Sequence, residues 1–169
     1  MPEIVQLLTS GASRLDGRPA PLASPLSDET TDHLTIRAGL GVVGDRYFNR
    51  PAHRDASVTL LAIESLAAWP GSGLRETRRN VLLRGVEVDG ARGRVLSLDS
   101  GDGPVLMLLH RAAHPCAWMD HTLGPGAWRA LRGHGGMRCE PLTDGVLRVG
   151  PVAVAWHDGE VRAAPLLRR

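Results

Sequence analysis

The side chain best suited to covalent or metal chemistry is the cysteine in His114-Pro115-Cys116-Ala117-Trp118-Met119-Asp120. A thiolate is both a strong nucleophile and a soft metal ligand. Asp120 follows one turn later, a candidate to accept a proton or orient a water. Arg46, Arg54, Arg78 and Arg79 could hold an anionic cofactor, with Asn80 adding hydrogen bonds. Guanidinium groups make bidentate contacts to phosphate and carboxylate. The glycines of Gly39-Leu40-Gly41-Val42-Val43-Gly44-Asp45-Arg46 let main-chain N–H groups approach a ligand.

Each of these residues has a plainer reading. Cysteine packs readily as a small apolar side chain, which is how Cys139, in a strand after a Gly-Gly turn, is read. An arginine is more often a solvated surface group, and Asn80 could equally cap a turn. Two other chemistries find less support. His110, His114, Cys116 and His121 lie close together, but no second pair at zinc-ligand spacing accompanies them. A hydrolytic set of Cys116, Asp120 and either His114 or His121 would need near neighbours in sequence to point at one another, which they rarely do.

These side chains need rigid elements to place them. The apolar run at 105–109 predicts a strand delivering Cys116 to a loop at its end. Further strands are expected at 4–8, 33–37, 57–61, 81–83, 94–98, 137–142, 146–149 and 152–156, with short helices at 62–69 and 127–131. Segment 11–32, rich in Pro, Ser, Gly and Asp, predicts an irregular loop. Asp99 to Gly103 predicts a tight hairpin, Thr143-Asp144-Gly145 another, and residues 160–169 read as frayed. About eight short strands at near-regular spacing, with few helices, point to a mostly β domain. A closed or partly closed, mostly antiparallel barrel is expected over the single unit 1–169.

Composition narrows the class. There are 20 basic residues, none of them lysine, against 18 acidic ones, and the formal net charge is +2. Scattered arginines and so small a charge argue against a nucleic-acid partner. The apolar run at 4–8 is too short and lacks the basic flank of a secretion signal, and no run is long enough to span a membrane. Two cysteines without these signals suit a cytoplasmic, reducing compartment. The tryptophans 69, 118, 128 and 156 read as closing the core or an interface, with Trp118 of interest as a neighbour of Cys116.

Five ordered blocks resemble a MOSC domain, the module at the C-terminal end of molybdenum-cofactor sulfurases. They are Gly39-Leu40-Gly41…Gly44-Asp45-Arg46, Val58-Thr59-Leu60-Leu61…Glu64, Arg78-Arg79-Asn80-Val81…Arg84-Gly85-Val86, Pro115-Cys116, and Gly133-His134-Gly135-Gly136…Val149-Gly150. The match runs over residues 35–156 and is closest to the short, stand-alone bacterial members. The resemblance implies a β-barrel like that of the pyruvate-kinase barrel domain. It implies binding of molybdenum cofactor (molybdopterin) or handling of sulfur for metal–sulfur centres, with Cys116 as metal ligand or persulfide carrier. Larger relatives reduce N-hydroxylated compounds; the His-Gly-Gly stretch of those forms is lacking near His53. A molybdenum-dependent oxidoreductase or an accessory in sulfur transfer is the enzyme class implied, with a sulfurtransferase or redox protein as partner. Pyridoxal phosphate is associated with the sulfurases, but a chain without lysine cannot form its Schiff base. The competing expectation is a non-catalytic, partner-binding barrel in which Cys116 merely packs.

Overall fold

The computed structural model describes residues 1–158; the terminal segment read as frayed lies outside them. Twelve strands run β1 Glu3–Leu8, β2 Thr30–Thr31, β3 His33–Arg37, β4 Gly41–Val42, β5 Val58–Ala62, β6 Val81–Arg84, β7 Val95–Asp99, β8 Val105–Ala112, β9 Met137–Pro141, β10 Gly145–Arg148, β11 Gly150–Pro151 and β12 Ala153–His157. Three one-turn helices are interspersed: α1 Leu74–Thr77, α2 Met119–Thr122 and α3 Ala127–Ala130. The large sheet has the order β11-β1-β6-β5-β9-β8-β7-β12, with β2 added on β1, and a small sheet has the order β10-β3-β4.

The large sheet is covered on both faces, which explains why β5 is buried along its whole length. Val58, Leu60, Val81, Leu83 and Cys139 point into the main core, where Leu34, Ile36, Val42 and Leu147 of the small sheet meet them. Leu61 and Leu82 point the other way, onto Leu74, Met119, Ala127 and Leu131 of the helical side. Strict alternation fails in β1, where Ile4 and Leu7, three apart, share the main core. The pairing with β6 shifts between Ile4 and Gln6. That bulge inserts one residue and restores the facing of the rest.

Most pairings are antiparallel, as expected, but β5 and β6 are parallel. Their crossover carries α1 and the 3-10 helix Ile63–Leu66, which replaces the longer helix expected at 62–69. The hairpin at 99–104 forms between β7 and β8. The second expected hairpin does not: β9 pairs β5 and β8, while β10 pairs β3. The turn residues hold the two sheets together instead. Asp144 Oδ1 accepts from Ala38 N at 2.8 Å, and Thr143 Oγ1 accepts from Leu106 N at 3.0 Å.

Among the described residues, no hydrogen-bonded ring closes the large sheet into a barrel. Its two ends nevertheless belong to one stretch of chain. β11 pairs with β1, and a single residue later β12 begins its five-residue pairing with β7.

Candidate functional site

Cys116 leaves the end of β8 on an exposed turn and its thiol is free. Its carbonyl accepts from Met119 N at 2.9 Å, which starts the α2 turn. The thiol is therefore not a core-filling group. Cys139 is: it is fully buried, unpaired, and burial pushes its thiol well above the usual range.

Adjacent arginines on the way into β6 have opposite roles. α1 ends with Arg78 in the left-handed conformation, φ 57°, so the side chains of Arg78 and Arg79 diverge. Arg78 is only 6% exposed and pairs with Glu29. Arg79 is held by carbonyls: Nε donates to Gly135 O at 3.1 Å, Nη2 to Ala113 O at 3.0 Å and His114 O at 3.4 Å, and Nη1 to Thr77 O at 3.4 Å. These bonds place Arg79 at the root of the Cys116 loop. Burial holds its pKa down to about 10, with Arg138 and Arg46 adding repulsion, while Cys116 and Tyr47 act the other way. At neutral pH Arg79 stays charged. Among the described residues, Arg46, Arg79 and Arg138 have no carboxylate within ion-pair distance, which leaves the surroundings of Arg79, Cys116 among them, electropositive.

Arg46 forms part of a cleft of about 620 Å³, between Gly11–Ser13 and Asp16 on one side and Gly44–Phe48, Arg50 and His53 on the other. The Arg46 guanidinium lies 4.6 Å from the centroid of the Tyr47 ring, which in turn sits 4.6 Å from the His53 ring. Arg46 Nε is buried without a hydrogen-bond partner.

The other expected site residues are engaged elsewhere. Arg54 Nε donates to Glu140 Oε1 at 2.6 Å, and its guanidinium lies over Gly39. Asn80 is buried with its amide fully used: Oδ1 accepts from Thr59 N and Oγ1, and Nδ2 donates to Leu8 O and Asp45 Oδ2. It ties β1, β5 and the Asp45 turn together and has no donor left for a ligand. Asp120 Oδ1 accepts from Trp128 N at 2.7 Å and so braces α3 against α2.

Sequence reasoning missed Arg138 and Tyr47. Arg138 had a readable signal, because it lies between core residues Met137 and Cys139 and must face the opposite side of β9. Tyr47 had none, since only the folding-back of 44–53 brings it near Arg79. Among the described residues, no group of three or more His, Cys, Asp or Glu side chains is placed to hold a bare metal ion.

No family model matches the chain, and no curated protein sequence matches it. Solved structures do. The YuaD protein of Bacillus subtilis matches with a TM-score of 0.65 at 16% identity, over 95% of this chain and 98% of that one. YiiM of Geobacillus stearothermophilus matches at 0.58 and 16% identity, over 92% and 75% of the two chains. YiiM of Escherichia coli matches at 0.54 and 14%, over 95% and 73%. These neighbours are stand-alone MOSC-domain proteins, so the mostly β architecture implied by the ordered blocks is shared with them, while the closed barrel is not found among the described residues. At such identities the likeness carries architecture alone.

Proposed function

We propose that this chain is a MOSC-type protein that binds molybdenum cofactor, with Cys116 supplying the protein's sulfur. The observation that carries the reading is an accessible thiol within electrostatic reach of Arg79, a guanidinium that meets no carboxylate among the described residues. The cofactor is anionic and its metal favours sulfur, which suits one exposed thiol and a guanidinium close by. The buried, unpartnered Arg46 Nε fits the same group. Cys116, Arg46, Arg79 and Arg138 are the residues that would hold it. When bound, it would supply the two-electron chemistry used on N-hydroxylated compounds, with a redox or sulfur-donating protein as partner.

The chain's own residues bind and orient. Arg79 is fixed by four carbonyls before any ligand arrives, so its charge costs little further ordering on binding. Arg46 and Tyr47 present a flat cationic and aromatic wall to the cleft. Arg54, Arg78 and Asn80 stabilise the surrounding loops.

The test is to co-express the chain with an active cofactor pathway and measure molybdenum and pterin per chain. Wild type is expected to retain both, and Cys116→Ser and Arg79→Gln to lose most of both. Equal, near-zero metal in all three removes the cofactor reading. A 32 Da adduct on Cys116 that reductant releases, found without metal, would instead make the chain a sulfur carrier.

A further inference from the structure

The stretch from Thr9 to Glu29 leaves and rejoins the large sheet at one point. Leu8 pairs with Thr30, and Thr9 N donates to Glu29 O at 3.4 Å. Its outbound leg, Gly11 to Asp16, is one wall of the cleft. At the junction, Glu29 holds three segments. Oε1 accepts from Arg14 Nη2 at 2.8 Å and from the Ser10 hydroxyl at 3.0 Å, a hydroxyl shared with Ala12 O at 2.8 Å. Oε2 accepts from Arg14 Nε and pairs with Arg78. Ser10 in turn fastens the facing wall: its carbonyl accepts from Arg46 N at 2.8 Å, and its N–H reaches Asp45 Oδ2 at 3.4 Å.

We propose that Glu29 is the positioning residue of the cleft. Its carboxylate ties Arg14 of the 11–16 wall to Arg78 and to the Ser10 hydroxyl, and through the Ser10 backbone to the Asp45–Arg46 wall, and so sets the width open to an anionic ligand. Glu29 touches no ligand itself. The inference rests on the reading of the cleft as an anion site, but the fastening can be measured without any ligand.

Arg14 is largely exposed, so its removal leaves the core untouched. In amide hydrogen exchange, Arg14→Ala is expected to speed the 11–16 amides about threefold, as suits loss of an exposed ion pair. The amides of β5, β6 and β9 keep their rates, and Arg14→Lys restores protection. Glu29→Gln is expected to speed the 45–48 amides as well and to weaken inorganic phosphate binding about tenfold. Unchanged 11–16 exchange in Arg14→Ala overturns the proposal, as does wild-type protection at 45–48 in Glu29→Gln. If the exchange pattern appears while wild type binds no phosphate, the anion reading fails and the fastening stands.

Discussion

Arg79 keeps its charge by surrounding it with carbonyl oxygens, which leaves that charge free to act on its surroundings. Arg79→Gln should therefore slow alkylation of Cys116 by iodoacetate about threefold more than by neutral iodoacetamide, because the cation draws the anionic reagent. Equal slowing of both reagents would mean that the change is steric. Glu29 illustrates the opposite case, a carboxylate saturated by cations. The Arg14 hydrogen bond, with Arg78 and Ser10, holds its pKa down to about 2 from 4.5. A lowered carboxylate stabilises the fold above its ordinary value, and that stability is lost as pH falls from about 4.5 through about 2. Because the Arg14 partner is largely in water, solvent screening holds the contribution at neutral pH to ~1–2 kcal/mol. Urea titrations across that window should show a steep decline in wild type and a much flatter one in Glu29→Gln. The residue types of the site, sulfur and guanidinium, were readable in the sequence. Which arginine meets a carboxylate was not, because Glu29 and Glu140 lie 49 and 86 positions from the arginines they neutralise.

The turn Gly133–Gly136 works as one element with the end of β8, and it positions Arg79. Gly136 N donates to Asp89 Oδ1 at 2.9 Å, and Gly136 O accepts from Ala113 N at 2.8 Å. Gly136 has φ 85°, and a Cβ there would lie 2.0 Å from Leu60 O. Gly136→Ala should cost at least ~3 kcal/mol from strain and overlap, seen as a lower urea midpoint. Asp89 is mostly buried, one oxygen lacks a hydrogen-bond partner, and burial raises its pKa. A raised carboxylate loses stability as pH climbs from the ordinary aspartate value through the raised one. Asp89→Asn keeps the acceptor for Gly136 and removes that loss, so it should match or exceed wild type at pH 7. Asp89→Ala leaves the Gly136 N–H unpaired and should cost ~1–2 kcal/mol in the same assay. Strand positions were legible because apolar runs bounded by glycine and proline mark them directly. The partners of β9 and β10 were not, since an Asp-Gly turn signals a reversal of direction without saying which sheet the next strand joins.

At the scale of the whole molecule, one sheet serves two cores. Leu60 and Val81 face the small sheet, while Leu61 and Leu82 face the helices that follow Cys116. Leu82→Ala should cost ~2–5 kcal/mol, the range for a fully buried leucine. Because it loosens the face on which α2 rests, it should also raise exchange at 116–123 more than at 33–37. The mostly β class and the order of segments could be read from spacing; the expected closed barrel is not found among the described residues, because 150–157 adds one strand to each end of the large sheet without joining the ends. That stretch gives β1 one of its neighbours and β7 one of its own. On the ribosome, both margins of the large sheet must therefore wait, unsealed, until residue 157 clears the exit tunnel.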